Sequence, residues 1–161
     1  MLIGEGPGAD EDRTGIPFVG RSGMILDRIF VAAGLPRETL YITNIVKCRP
    51  PRNRNPAAEE IQACRPYLNL QIEALSPRLI VAMGRPAAQS LLRTGQPLSA
   101  LRGRIHALGG TPLVVTYHPA YLLRSPAQKP GAWADWRRIR DLLAHVATGG
   151  APRIDGEDVP L

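Results

Sequence analysis

The segment RLIVAMG, residues 78–84, decides the fold class. Its five consecutive apolar residues, from Leu79 to Met83, are typical of a strand covered on both faces, as in a parallel sheet flanked by helices. Gly84 and Pro86 follow it and indicate a turn and the start of a helix. A buried strand that leads directly into a helix is the repeating unit of α/β proteins.

Strand and helix signals alternate on both sides of this segment. Strands are predicted at residues 2–4, 40–47, 78–84 and 113–117, the last preceded by a hairpin around Gly109 and Gly110. Helices are predicted at residues 22–36, from Asn55-Pro56 onward, from Pro86 and over residues 132–147. Pro66 is expected to kink or split the second of these helices. The order predicts a three-layer αβα sandwich around a mostly parallel, four-stranded central sheet.

The length bounds the organisation of the chain. Its 161 residues suit one domain, which we place at residues 1–148, followed by a flexible C-terminal tail at residues 149–161. No apolar run approaches the roughly 18 residues that a membrane span needs. The N-terminus lacks a basic-then-apolar signal pattern, so we expect a cytoplasmic protein with no membrane partner.

The charge balance is moderately basic. The chain carries 20 lysines and arginines against 14 aspartates and glutamates, a net charge of +6. Such an excess suits a polyanion such as DNA or RNA, although charge alone does not distinguish a nucleic-acid-binding protein from other basic proteins.

Polar side chains occur where the predicted parallel strands end. Glu5 follows the first strand, Asn44 lies near the end of the second, and His118 follows the fourth. Ligands of such sheets bind beyond the carboxyl ends of the strands, so these groups are expected to converge on one rim. Each also has a structural interpretation: Glu5 as a helix cap, Asn44 as a satisfied core amide, His118 as a packed imidazole.

Three blocks of the sequence resemble the family 4 uracil-DNA glycosylases, the iron-sulfur type of bacteria and archaea. They are GEGPGADEDRTGIPFVGRSG at residues 4–23, YITNIVKCRPPRNR at residues 41–54 and TYHPAYLLR at residues 116–124. The resemblance implies an enzyme that flips uracil out of DNA and hydrolyses its N-glycosidic bond, which starts base-excision repair. These blocks contain no lysine placed as a Schiff-base nucleophile, so a monofunctional glycosylase is expected.

The resemblance also implies roles for the rim residues. Phe18 corresponds to the aromatic ring that stacks on the base, and Asn44 to the amide that reads uracil through one donor and one acceptor. His118 corresponds to the histidine that donates to uracil O2 as charge develops on the leaving base. Glu5 and Glu11 are both candidates for positioning the water, and the sequence does not decide between them.

Further residues are assigned to DNA by the same resemblance. The main-chain N–H groups of the turn from Gly6 to Gly8 could bind a uracil oxygen or a phosphate. Leu122, Leu123 and Arg124 are expected to enter the base stack as a wedge, the alternative being a helix start packed in the core. Phosphate contacts are predicted for Arg21, Lys47, Arg49, Arg52, Arg54 and Arg85. The partner is therefore uracil-containing DNA, bound by a monomer.

The two cysteines, Cys48 and Cys64, correspond to the last two ligands of the family's 4Fe-4S cluster, with 15 residues between them. Such clusters take four cysteines, and the C-x-x-C unit that supplies the other two does not occur before the first block. We therefore expect either a start assigned too late or a two-cysteine variant, with an absent or incomplete cluster in the chain as given. A thiol pair of no functional importance is the third interpretation.

Two other functions share these features. The same pocket could be retuned to other deaminated bases such as hypoxanthine or xanthine, although a purine-specific site has no need for Asn44. A non-catalytic nucleic-acid-binding relative is the other alternative, and the retention of Glu5, Asn44 and His118 argues against it.

Overall fold

A computed structural model describes residues 1–161. The strands are Leu2–Gly4 (β1), Ile42–Asn44 (β2), Ile80–Met83 (β3), Ile105–Leu108 (β4), Thr111–Thr116 (β5) and Asp158–Val159 (β6). The α-helices are Ala9–Thr14 (α1), Arg21–Ala33 (α2), Ala58–Leu75 (α3), Arg85–Leu92 (α4), Leu98–Leu101 (α5), Pro119–Arg124 (α6) and Lys129–Ala147 (α7). None of these helices is both long enough and apolar enough to cross a bilayer.

The strands form one sheet in the order β2-β1-β3-β5-β4-β6. The strands β2, β1, β3 and β5 run parallel to one another, β4 is antiparallel to β5, and β6 is parallel to β4. The prediction of an α/β fold with a mostly parallel sheet is confirmed, but the prediction of four strands is wrong because the sheet has six. The hairpin strand β4 joins the sheet, and β6, two residues long, is too short to show any periodicity in the sequence.

The alternation of strand residues builds a core on each face of the sheet. Ile3 and Ile80 pack with the α3 and α4 residues on one face, including Leu68 and Leu91. Their neighbours Leu2 and Val81 point to the other face, where α2 and α7 contribute Phe30 and Trp136. Two separate clusters on opposite faces make the three layers of the sandwich.

The residues after 148 reach the far edge of the sheet. The backbone N–H groups of Ala107 and Gly109 donate to the carbonyl oxygens of Glu157 and Val159, each at 2.8 Å. The buried ring of His106 adds a side-chain contact, because its Nδ1 accepts from the Glu157 N–H at 2.8 Å. The segment assigned to a tail from the sequence thus includes β6, which pairs with β4.

Helix α3 runs unbroken through Pro66, so the expected split does not occur. Pro66 lies on the exposed side of the helix, where water can bind the carbonyl that loses its N–H partner. The helix also begins later than the Asn55-Pro56 signal suggested: its cap is Ala57, whose N–H donates to the Glu60 carboxylate at 2.7 Å.

Candidate active site

Four parallel strands end side by side and open onto a cleft of about 870 Å³. Asn44 ends β2, Glu5 follows β1, Gly84 follows β3, and His118 lies two residues beyond β5. These strands occupy consecutive positions in the sheet, a width of about 14 Å at the usual strand spacing. Of the residues singled out in the sequence, the cleft brings together Glu5, Gly6, Gly8, Glu11, Phe18, Asn44, Arg54, Arg85, His118 and Arg124.

Asn44 lines this cleft and has an unpartnered amide oxygen. The residue is 6% exposed, and its Oδ1 is buried with no hydrogen-bond partner. Leaving such an atom unsatisfied costs about 1–3 kcal/mol, so a ligand that donates a hydrogen bond there recovers that free energy.

Gly4, opposite Asn44 in the β1–β2 register, keeps this space open. A Cβ at residue 4 would lie 2.5 Å from Asn44 Oδ1 and 2.6 Å from Phe18 Cζ. The amide and the phenyl ring therefore both lie beside the end of β1.

Phe18 is held in a backbone conformation that a bulky residue rarely adopts, with φ of 54°. Its buried ring lies between the two polar groups, since the ring centroids of Phe18 and His118 are 5.5 Å apart and tilted by 38°. Such strain is concentrated at functional sites, and Phe18 lines the cleft.

His118 is positioned to donate a hydrogen bond as a neutral ring. It caps α6, and its Nδ1 accepts from the Ala120 N–H at 3.2 Å, which leaves the proton of the neutral ring on Nε2. Burial, aided by the Arg124 charge and opposed by Glu11, lowers the pKa of His118 to about 4. Gly84, at φ of 90°, makes room for the ring, because a Cβ there would lie 2.8 Å from His118 Cβ.

The two candidate glutamates have different surroundings. Oε1 of Glu11 accepts from the N–H groups of Val19 and Gly20, both at 2.9 Å, and Oε2 accepts from the Gly8 N–H at 3.1 Å. The Glu11 carboxylate is thus occupied in joining the loop before α1 to the loop that carries Phe18.

Glu5 makes no side-chain hydrogen bond within the protein. Burial raises the pKa of its carboxyl above the ordinary value, an effect opposed by the charges of Arg124 and Arg85. A half-buried carboxylate beside a free volume can accept a hydrogen bond from a water molecule, whereas Glu11 has no free oxygen of this kind.

The residues predicted to contact DNA differ in where the structure places them. Arg54, Arg85 and Arg124 line the cleft, and Arg54 also forms a bidentate pair with Glu60 at 2.8 Å. Lys47 turns into the protein, where its ammonium donates to Thr43 at 2.7 Å, to the Asn44 carbonyl at 2.9 Å and to Gln71 at 2.6 Å. The structure does not bring Lys47 to the cleft.

Other predicted DNA contacts lie outside the cleft lining. Arg21 and Arg52 are exposed, Arg49 is half-buried, and Arg52 has φ of 56°. Within the expected wedge, Leu122 is only 2% exposed and lies on the buried side of α6, whereas Leu123 and Arg124 are exposed.

The cysteines lie close to each other in space. Cys64 is half-buried and its Sγ accepts from the N–H of Lys47, the residue before the exposed Cys48. A 4Fe-4S cluster takes four thiolates, and no group of three or more His, Cys, Asp or Glu side chains in the structure could hold a metal ion. The residues present supply two of the four ligands and do not by themselves fit the cluster.

Sequence reasoning missed an aromatic wall of the cleft. Tyr117 and Tyr121 both line it, and their rings stack with centroids 5.4 Å apart. The one local signal was their spacing of four residues, but Tyr117 lies before the cap of α6, so this spacing alone does not predict that the two rings stack.

Comparison with known proteins adds an independent finding. A model of the Uracil DNA glycosylase superfamily matches residues 1–142. The chain is 48% identical to a type-4 uracil-DNA glycosylase of Thermotoga maritima over 128 residues, 78% of this chain and 66% of that protein. It is 38% identical to the type-4 enzyme of Archaeoglobus fulgidus over 150 residues, 88% of this chain and 75% of that protein. A type-5 uracil-DNA glycosylase of Pyrobaculum aerophilum is 33% identical over 139 residues, 76% of this chain and 61% of that protein.

Proposed function

The chain belongs to the uracil DNA glycosylase superfamily, and from that premise we propose that it excises uracil from DNA by hydrolysing the N-glycosidic bond. The observation that carries the proposal is the unpartnered amide oxygen of Asn44, which shares one cleft with Phe18 and with the Nε2 donor of His118. The type-4 relatives of Thermotoga maritima and Archaeoglobus fulgidus support the same activity class.

The pocket recovers the free energy that base flipping costs. Unstacking and unpairing a base costs a few kcal/mol. The face of Phe18 offers stacking, and the Asn44 amide offers an acceptor for uracil N3–H and a donor for O4. Cytosine presents a bare N3 and an amino group at these positions, so the same amide disfavours it.

His118 stabilises the departing base. As the C1′–N1 bond breaks, its electron pair moves to the uracil ring and negative charge develops at O2. A neutral imidazole with its proton on Nε2 donates to that oxygen without having to be charged, which agrees with a pKa of about 4.

Glu5 positions the attacking water. The sugar becomes electron-deficient at C1′ as the base leaves, and a carboxylate beside it orients the water and accepts its proton. Glu5 is the glutamate whose oxygens are free for this task. Glu11 instead fixes the loop geometry through its three backbone bonds.

Three further parts of the proposal concern the setting of this activity. Cys48 and Cys64 correspond to two of the four ligands of the family's 4Fe-4S cluster, so an absent or incomplete cluster stays the prediction for this chain. Uracil-containing DNA is the substrate. That the protein works as a monomer in the cytoplasm stays a prediction.

The test uses a labelled oligonucleotide that contains one uracil. Incubation with the protein followed by alkali cleaves the strand wherever a base has been removed. We expect scission with the wild type and a loss of about 100-fold or more for His118→Ala, the range for removing one donor to a developing anion. The matched control is His145→Ala, an exposed histidine on α7 outside the cleft.

A parallel set of oligonucleotides carrying hypoxanthine or xanthine tests the base specificity. Intact uracil strands with folded wild-type protein would contradict the proposal. Scission at hypoxanthine or xanthine but not at uracil would replace it with the retuned pocket.

A further inference from the structure

Three side chains form a continuous stack in the wall of the cleft. The Arg102 guanidinium lies over the Tyr117 ring, 3.8 Å from its centroid, and the Tyr117 ring stacks on Tyr121 at 5.4 Å with an interplanar angle of 24°. Both tyrosines line the cleft, beside Arg124 and His118. No step of the proposed reaction uses this stack.

The rear of the stack is firmly held. Arg102 forms two hydrogen bonds to the Asp135 carboxylate, at 2.9 and 3.0 Å, and both side chains are mostly buried. Thr116 donates to the same carboxylate at 2.9 Å. The Tyr117 hydroxyl donates to Gln128 at 2.9 Å. Tyr117 therefore has little freedom to move, and it presents a fixed surface to Tyr121.

The front of the stack is open. Tyr121 is 37% exposed although its ring is already stacked on Tyr117. It lies one helical turn from the catalytic histidine, since its N–H donates to the His118 carbonyl at 2.9 Å. When one base enters the pocket beside His118, the bases on either side of it in the DNA strand are expected to lie close to the Tyr121 ring.

We propose that Tyr121 is a stacking platform for the nucleobase next to the one that is flipped. This inference rests on the proposed function and adds a second base-binding subsite to it. Every base has a π face, so an aromatic platform of this kind binds without sequence preference. It compensates the neighbouring base for the stacking partner that it loses when uracil leaves the helix.

The preorganised rear explains why this position suits the task. An isolated exposed tyrosine loses rotamer freedom when a base stacks on it, and that entropy opposes binding. Tyr121 is already ordered against Tyr117, whose ring is also in contact with the Arg102 guanidinium. Tyr67 on α3, 63% exposed and outside the cleft, has no such support and serves as the comparison.

The test is a cycle that removes the tyrosine ring and the neighbouring base separately and together. Single-stranded oligonucleotides carry 2′-fluorinated deoxyuridine, which resists cleavage, and a baseless tetrahydrofuran spacer at one of the two positions on either side. Affinity is measured by fluorescence anisotropy for the wild type and for Tyr121→Ala, Tyr121→Leu, Tyr121→Phe and Tyr67→Ala. Thermal melting of each variant checks that the protein remains folded.

For intact DNA we expect Tyr121→Ala and Tyr121→Leu to weaken binding about 5- to 150-fold, the range measured for one base on one aromatic ring. Tyr121→Phe retains the aromatic face and should restore most of the affinity, and Tyr67→Ala should match the wild type. At one spacer position, removing the base should weaken binding by the wild type by the same factor. The same spacer should not weaken binding by Tyr121→Ala any further, because that variant has already lost the stacking contact.

If the loss of affinity from Tyr121→Ala and the loss from the spacer were additive at all four spacer positions, the stacking platform would be refuted. Equal DNA affinity of Tyr121→Leu and Tyr121→Phe would also refute it. The two proposals fail separately. If the protein excises uracil but the losses of affinity are additive, the proposed function stands and the stacking platform is refuted. If the losses are non-additive but ordinary uracil is not excised, the platform stands and the proposed function is refuted.

Discussion

Replacing Glu11 by alanine should destabilise the protein by about 2–3 kcal/mol. The substitution removes a carboxylate that accepts three backbone hydrogen bonds, from Gly8, Val19 and Gly20. Hydrogen bonds to charged groups contribute about 1.5–3 kcal/mol each. The Val19 N–H is exposed and can bind water instead, so the sum of three full bonds overstates the loss.

The expected loss corresponds to a fall in Tm of about 5–10 °C for a chain of this size. The stability of Glu11→Gln should lie between those of the wild type and Glu11→Ala. Its amide oxygen can still accept hydrogen bonds from the Val19 and Gly20 N–H groups, while the bond from Gly8 is lost. Urea unfolding followed by circular dichroism gives the free energy of unfolding for each variant.

Glu5→Gln provides the contrast. Because burial raises the pKa of the Glu5 carboxyl, its ionised form destabilises the folded state at neutral pH, and the neutral amide should keep or raise the stability. Its excision rate should nevertheless fall by about 100-fold or more, since the amide oxygen can still bind the water but cannot take up its proton. Unchanged stability in Glu11→Ala together with a larger rate loss than in Glu5→Gln would refute this division of roles.

Three more outcomes follow from the geometry. Gly4→Ala should lower both stability, by about 1–3 kcal/mol, and uracil excision, because its Cβ would overlap the Asn44 oxygen; urea unfolding and single-turnover rates measure the two losses. Excision should fall on acidification below the raised pKa of Glu5, while His118 stays neutral down to about pH 4; a pH–rate profile checks the first, and NMR titration of the ring checks the second. The unfolded chain takes up the histidine proton near pH 6.5 and the folded chain near pH 4, so His118 makes stability decrease as pH falls through that interval. Arg85→Ala should reduce the slope of log affinity against log salt by about 0.9 for duplex DNA, whereas Lys47→Ala should leave it unchanged because the Lys47 ammonium is bound inside the protein.

The three layers of the fold could be predicted from the sequence because a strand buried on both faces consists mainly of apolar residues. The apolar run at Leu79–Met83 can only be satisfied by cover on both faces, and the polar residue after each such run then marks the rim. β6 was not accessible, since a two-residue strand held by its backbone to β4 leaves no side-chain period.

The site divided along a similar line. Glu5, Asn44 and His118 are placed by strand ends and could be predicted. The difference between Glu5 and Glu11 depends on N–H groups eight and nine residues further along the chain, in a loop whose course the sequence does not dictate. The same limit explains Leu122, which a motif places in a wedge and helix α6 turns inward.

The Tyr121 stack depends on a guanidinium from the end of α5, 15 residues before Tyr117 in the chain. The stack therefore depends on tertiary structure, and the spacing of the two tyrosines alone does not predict it.

The most direct test of the account is the single-turnover rate of uracil excision by Asn44→Ala, measured beside the wild type. The control is Asn69→Ala, which removes the other amide whose oxygen is buried without a partner, on α3 outside the cleft. If the Asn44 amide binds the uracil edge through two hydrogen bonds, its loss should slow excision by about 100-fold, with Asn69→Ala close to the wild type. A folded Asn44→Ala protein that removes uracil within about threefold of the wild-type rate would contradict the account.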